Sequence, residues 1–220
     1  MSSRRREILK VLVFITCSNL STVAYAQMPG TPTLQNAFAN PGITAAVDVA
    51  GLGGASSYAL AGAWAPGSAR FQLSAGFGLQ TRTGSSSRTV YGARVNMPIL
   101  GAASNFGVSG FAGYGGISGP ADSSLTKSLI PIGLTASYRL AIGTTHGVSI
   151  YGSPMYQLVG RGGGAGSVST FRGALGLDIG VTRAIGATIG VELGKTEPAG
   201  SGRPSGTAFA AAVSYALGAR

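Results

Sequence analysis

The chain has 220 residues, a formal net charge of +10 and 37 glycines, and its only cysteine is Cys17. This length suffices for one domain with a core of its own. A single cysteine excludes an internal disulfide, and no run of about eighteen apolar residues is present to form a membrane-spanning helix. The basic residues are scattered without a cluster interleaved with aromatics, which argues against a nucleic-acid partner.

The first residues have the form of an export signal. Arg4-Arg5-Arg6 gives a basic start, an apolar stretch begins at Val11, and Ala24-Tyr25-Ala26 matches the small-x-small pattern of a signal-peptidase site. We therefore expect residues 1–26 to be a signal peptide cleaved between Ala26 and Gln27. An uncleaved anchor is the alternative, but the apolar stretch is too short for it.

The mature chain then divides into two parts. Residues 27–42 carry no alternating pattern and are predicted to be a periplasmic N-terminal segment or a plug. Residues 43–220 are predicted to be one all-β domain, because apolar and small or polar residues alternate along segments of roughly ten residues. The last segment is the clearest, with Phe209, Val213 and Leu217 on one parity and alanines on the other.

Ten segments with this pattern are predicted to be strands. Their lengths fit tilted crossings of a bilayer. Large apolar residues on one face and small or polar residues on the other predict a barrel whose outside meets lipid. The expected fold is a closed antiparallel up-and-down transmembrane β-barrel of about ten strands, with eight as the alternative. The ten segments are 43–51, 56–64, 69–81, 88–98, 105–115, 130–140, 146–158, 170–182, 185–195 and 207–217.

The connections between these segments alternate in length. Those after the second, fourth, sixth and eighth strands are short, whereas Gly116–Leu129, Val159–Ser169 and Thr196–Gly206 are long and glycine-rich. Short turns on one side and long loops on the other are typical of outer-membrane barrels, which have short periplasmic turns. An even strand number would leave both termini in the periplasm.

The fifth segment departs from the alternation. Phe106 and Val108 share one parity, whereas Phe111 falls on the other. A β-bulge near Gly110 would account for the change, because a bulge inserts one extra residue into a strand.

Nearly every charged residue within the strands falls on the inner parity. Two interpretations remain open for this set: the charges line a pore that favours anions, or they form an ion-pair network that ties strands together across the lumen. The six residues are Asp48, Arg94, Arg139, Arg172, Asp178 and Glu192.

Apart from these charges, the interior is predicted to be lined by small residues. The second and tenth strands present mainly alanines inward. Ten strands at about 4.8 Å spacing and about 40° tilt give a radius of roughly 10 Å, so such a barrel would leave space for water or for a plug.

The sequence offers little for catalysis or metal binding. His146 is the sole histidine and lies beside a short turn with no acidic residue near it in sequence. One histidine without a mature-chain cysteine does not make a metal site. We therefore predict no catalytic residues, no metal and no cofactor.

Taken together, the cleaved leader, the alternating strands and the final aromatic-apolar strand resemble the small outer-membrane β-barrel proteins of Gram-negative bacteria. Tyr215-x-Leu217 is similar to the C-terminal insertion signal of that family, although Gly218-Ala219-Arg220 follow where a terminal aromatic is usual. The resemblance implies an outer-membrane location, assembly by the barrel-assembly machinery, and a non-enzymatic role as a narrow passive pore or structural surface protein.

Other functions and partners remain open from the sequence. The alternatives are an adhesion protein that uses the glycine-rich external loops, a secreted soluble β-protein and a membrane-embedded lipid hydrolase. Cations in or next to the long loops are expected to meet lipopolysaccharide phosphates, and the oligomeric state is left open. These cations are Lys127, Arg161, Lys195 and Arg203.

Overall fold

A computed structural model describes ten antiparallel strands and the turns next to them. The residues it describes are 42–52, 55–68, 70–82, 86–100, 104–118, 126–142, 146–161, 166–182, 184–194 and 207–217. The strands are β1 (Gly42–Leu52), β2 (Ala55–Ala65), β3 (Gln72–Arg82), β4 (Arg88–Leu100), β5 (Phe106–Ser118), β6 (Thr126–Ile142), β7 (His146–Arg161), β8 (Ser167–Gly180), β9 (Ile185–Gly194) and β10 (Ala208–Leu217).

The strands form a closed barrel in which each strand pairs with its neighbours in sequence and β1 pairs with β10. The closing register runs from Ile43 opposite Leu217 to Gly51 opposite Phe209. Closure removes both sheet edges, so the backbone groups of the first and last strands have partners. The predicted closed up-and-down barrel is confirmed, with ten strands rather than eight.

Both chain termini leave the barrel at one end, where β1 begins and β10 ends. We call this the termini end and the opposite one the loop end. Connections at the termini end span 66–71, 101–105, 143–145 and 181–184, and those at the loop end span 53–54, 83–87, 119–125, 162–166 and 195–207.

The predicted contrast in connection length is weaker than expected. Residues 195–207 still separate β9 from β10, but β5 to β8 extend into the stretches predicted to be long loops. β6 has 17 residues and β7 has 16, against 11 in β1, β2 and β3. Ser128 of β6 pairs with Gly160 of β7, which in turn pairs with Ser167 of β8, and these pairs lengthen this wall of the barrel at the loop end.

The alternation of the fifth segment is unbroken in the structure. β5 pairs with β4 in one register from Thr89 opposite Ser118 to Pro98 opposite Ser109, so the bulge predicted near Gly110 was wrong. Phe111 is buried because it points into the lumen, and the neighbouring Gly110 lies on the outer parity beside Ile99 and Leu134. Register shifts occur instead between Pro98 and Leu100 and between Thr126 and Ser128.

Large apolar side chains are exposed on the outer face of every strand. Phe77 is 63% exposed and Phe171 is 68% exposed, although both lie within regular strands. A continuous outer surface of this kind cannot be the polar face of a water-soluble barrel. Among the described residues, no helix has the length and hydropathy to cross a membrane.

The predictions for the start of the chain lie outside the described residues. These are the signal peptide, its cleavage between Ala26 and Gln27, and the N-terminal segment or plug up to residue 41. The barrel itself begins at Gly42, one residue before the predicted boundary.

Candidate functional site

The inner face of the barrel is the candidate site, because it gathers polar and charged side chains that are shielded from water. Its buried polar members among the described residues come from eight of the ten strands, all except β2 and β10. They are Asp48, Gln72, Ser74, Arg94, Asn96, Ser109, Thr135, Ser137, Ser149, Ser153, Gln157, Thr170, Arg172, Thr188 and Glu192.

The six predicted residues all lie on the inner parity of their strands. Asp48, Arg94, Arg172 and Glu192 are buried and Asp178 is half-buried. Arg139 is exposed close to the termini end of β6 and lies in the same row of the sheet as Asp178, with Ser149 between them.

Arg94 is held in the lumen by neutral groups. Its Nε donates to Asn96 Oδ1 at 2.7 Å, and its Nη2 lies 3.4 Å from Thr135 Oγ1. Asn96 in turn donates from Nδ2 to Gln72 Oε1 at 3.3 Å. These bonds connect β3, β4 and β6 through the lumen, and they give a buried cation the hydrogen-bond partners that it needs.

The guanidinium of Arg94 also lies on the ring of Phe111, 3.5 Å from its centroid. The residue of β6 opposite Phe111 is Gly133. A Cβ at this position would overlap the Phe111 ring. The glycine lets the ring lie against the wall, and the ring's negative face then stabilises the cation. Gly133, Phe111 and Arg94 therefore form a stack from the wall towards the axis, which we call the Arg94 stack.

Tyr151 is the largest of the fully buried side chains, at 2% exposure. Added methyl groups at Gly176 or Gly190 would collide with its phenol, so the Tyr151 ring lies across the inner surfaces of β8 and β9. Electrostatic interactions with Asp178, Arg94, Asp48 and Glu192 reach the phenol.

An ion pair links β8 to β9. The Nε of Arg172 contacts Oε1 of Glu192, and both side chains are buried. Gln157 on β7 donates from Nε2 to the same carboxylate oxygen at 3.3 Å. Two of the six predicted residues, Arg172 and Glu192, thus form an ion pair with each other.

The remaining acidic residues are positioned nearby along the inner wall. Asp178 accepts a 2.5 Å hydrogen bond from Thr188 Oγ1 across the β8–β9 pair. The same row of the sheet continues through Ala212 to Asp48 on β1. Of the shielded charges among the described side chains, three are acidic and two are arginines, so this part of the lining does not have the excess of arginine on which the predicted anion preference depends.

The prediction that small residues line the interior is correct for one wall of the barrel only. β2 and β10 present buried alanines, including Ala59, Ala61, Ala210 and Ala212. The strands β4 to β9 instead supply large side chains. Phe111, Met155 and Ala174 form an apolar cluster beside the polar groups.

Four further lumen residues were not predicted from the sequence: Phe111, Tyr151, Gln157 and Met155. Parity alone would have placed Tyr151 inside, since it shares parity with Ser149 and Ser153. The pairing of each ring with a glycine is invisible without the register, because Gly133, Gly176 and Gly190 lie on other strands.

The described lumen side chains make hydrogen bonds and an ion pair, but no catalytic or metal-binding arrangement is apparent among them. Within the described residues, no group of three or more His, Cys, Asp or Glu side chains is placed to hold a metal ion. The side chain of His146 lies outside the described set. What the arrangement can do is tie strands together and exclude water.

No protein-family model matches the sequence, and no curated protein matches it. Among solved structures, a bacterial polysaccharide outer membrane secretin aligns with a TM-score of 0.46 and 12% identity over 80% of this chain and 64% of the secretin chain. The translocator domain of autotransporter NalP from Neisseria meningitidis gives 0.44 and 14% over 81% and 90% of the two chains. The NanC porin gives 0.42 and 9% over 80% and 100%. Similarities of this size do not establish a family.

Proposed function

We propose that this protein is a non-enzymatic β-barrel of the bacterial outer membrane with a structural role and a lumen closed by its own side chains. The observation that carries the membrane location is the apolar outer face of a closed barrel. Leaving one large apolar side chain in water rather than burying it costs roughly 1.5–3 kcal/mol, and here every strand exposes at least two. A bilayer removes that cost.

The distribution of exposed aromatics supports the same location. Outward aromatic side chains lie towards both ends of the barrel, as expected for rings at the two membrane–water interfaces. Trp64, Phe106, Tyr138 and Tyr215 are nearer the termini end, and Tyr58, Tyr91, Tyr114, Tyr156 and Phe171 are nearer the loop end. Export by the predicted signal peptide and insertion by the barrel-assembly machinery would bring the chain there.

The proposal of a closed lumen is supported by the low solvent exposure of the side chains at its centre. Arg94, Phe111, Tyr151 and Arg172 are each at most 5% exposed, whereas the lining of an open aqueous channel would be hydrated. These side chains come from four strands. Arg94 lies on the Phe111 ring, and Arg172 is paired with Glu192. A structural surface protein needs this rigidity, and an open passive pore does not.

A narrow pore remains the second candidate, because the lumen wall is polar and carries charges from several strands. Conductance in a planar lipid bilayer separates the two. We expect the reconstituted wild-type protein to insert, as judged by a heat-dependent shift in electrophoretic mobility, and to give no steady current. A steady current from the inserted protein would favour the pore.

The partners at the cell surface remain predictions. Lys127, Arg161, Lys195 and Arg203 belong to the loop end by their place in the chain, where lipopolysaccharide phosphates would meet them if that end is external. Such exposed contacts weaken as salt is added. Cysteine labelling on intact cells at Ser124 and Ser201, compared with Gly67 at the termini end, tests the orientation.

A further inference from the structure

The turn between β2 and β3 combines two aromatic rings with a cation at the termini end of the barrel. The Trp64 and Phe71 rings meet edge to face, with centroids 5.7 Å apart and an interplanar angle of 73°. Trp64 is 46% exposed on the outer face. Arg70 lies next to Phe71 in the turn and is exposed. It precedes β3, although the sequence pattern had placed it inside that strand.

The aromatic pair continues the apolar outer surface rather than the polar lumen. Trp64 is directly opposite Ile43 on β1 and Leu73 on β3, and both of these side chains are exposed on the outer face. An edge-to-face pair has a fixed geometry, which holds the start of β3 against the end of β2. Arg70 therefore stands where the apolar surface ends.

The connections at the termini end carry cations and no acidic residue. Arg70 lies in the connection 66–71 and Arg183 in the connection 181–184. The six acidic residues of the sequence lie outside these four connections. Glu7 is in the leader, Asp48, Asp178 and Glu192 are on the inner parity, and Asp122 and Glu197 fall between strands at the loop end.

We propose that Arg70, Trp64 and Phe71 form a binding site for the phosphate of an anionic phospholipid in the leaflet at the termini end. The inference rests on the proposed membrane location. An arginine at the edge of an apolar surface places its charge at headgroup depth while its stem covers apolar area. Trp64 at this depth is suited to the interface, because its ring is apolar and its indole N–H is a donor. Because the turn faces lipid through its aromatic rings, a lipid fits this site better than a soluble acidic peptide does.

The single tryptophan makes the site directly observable, since Trp64 is the only one in the chain. The full-length mature protein is reconstituted in phosphatidylcholine vesicles that contain a minor fraction of phosphatidylglycerol, and either lipid is brominated in turn. Bromine quenches tryptophan fluorescence only at short range. We expect quenching per brominated lipid to be about two- to five-fold stronger for phosphatidylglycerol, since one interfacial arginine contributes about 1 kcal/mol.

Two variants decide the assignment. Arg70→Gln is expected to reduce quenching by phosphatidylglycerol to the level of phosphatidylcholine, and Arg88→Gln, which removes a cation at the loop end, is expected to leave the preference unchanged. Equal quenching by the two lipids in the wild type would overturn the site, as would a preference that survives in Arg70→Gln. Absence of quenching by either lipid would instead contradict the membrane location itself, so the two failures are distinguishable.

Discussion

At the scale of single residues, the stability of the barrel depends on pairs of residues in which the loss of one member leaves the other destabilising. The Arg172–Glu192 ion pair is buried, and removal of water from two charges costs more than an exposed pair would regain. The pair is therefore a point where one substitution has a large effect and a matched double substitution has a small one.

We expect Arg172→Ala to lower the free energy of unfolding by roughly 3–5 kcal/mol, because the Glu192 carboxylate stays buried without its cation. Arg172→Met combined with Glu192→Leu is expected to recover most of that loss. Urea unfolding in lipid vesicles, followed by the mobility shift, measures both. Arg88→Ala is the control and is expected to change stability by less than about 1 kcal/mol, since Arg88 lies partly exposed at the loop end of β4. Equal losses for the two alanine variants would argue against a structural role of the ion pair.

The rings in the lumen depend on glycines in the same way. We expect Gly176→Ala to lower the free energy of unfolding by about 1–3 kcal/mol, because the added methyl overlaps the Tyr151 phenol. Gly173→Ala, on the same strand, meets no atom within 4 Å and serves as the matched control. Combining Gly176→Ala with Tyr151→Ser should remove most of the difference between the two glycine variants. A Gly176→Ala protein as stable as the Gly173→Ala protein would mean that Tyr151 does not lie across β8.

At the scale of strands, sequence and structure agree where a period of two is sufficient. The ten strands and the outward placement of Leu175, Ile189 and Val213 follow from alternation alone. The packing of the lumen could not be predicted in the same way, because it depends on register between strands distant in sequence. Phe111 illustrates this. In the sequence of β5 alone, Phe111 breaks the alternation of large apolar residues. In the structure, its ring points into the lumen, where it lies against Gly133 of β6 and under Arg94 of β4.

Closure of the barrel by β1 and β10 is testable at one register position. Val47 lies opposite Val213, and neighbours across an antiparallel pair have Cα atoms about 4.5–5.5 Å apart, within the range for a disulfide. We expect the Val47→Cys/Val213→Cys protein to oxidise efficiently and to keep a closed-ring mobility after boiling without reductant. The off-register pair Val49→Cys/Val213→Cys should oxidise poorly. Equal oxidation of both pairs, or of neither, would contradict the register.

At the scale of the whole molecule, the packing of side chains inside the lumen decides between the proposed structural role and a pore. Bulky side chains from β4 to β9 occupy the space that alanines on β2 and β10 leave. Ten strands alone would enclose a space of roughly 10 Å radius at the backbone, so the side chains decide whether the barrel conducts.

Removing the Arg94 stack should therefore open a current. We expect Arg94→Ala combined with Phe111→Ala to give steady conductance in planar bilayers, with Met97→Ala, on the lipid-facing side of β4, as the silent control. Because Asp48, Asp178 and Glu192 would then outnumber the remaining lumen arginines, the current should favour cations. A silent double variant would show that other side chains close the lumen, and anion selectivity would contradict the charge assignment.

The central claim is that β10 has lipid on one side and a packed, dry lumen on the other. Single cysteines along Phe209–Val213, in a chain from which the natural Cys17 has been removed, carry spin labels in reconstituted vesicles. Relaxation by oxygen reports lipid, and relaxation by a water-soluble nickel chelate reports water. We predict that labels at Phe209, Ala211 and Val213 respond to oxygen and those at Ala210 and Ala212 respond to neither reagent. A strong nickel response at the two alanines would reveal a water-filled pore, and one at the three outward positions would contradict a membrane-spanning barrel.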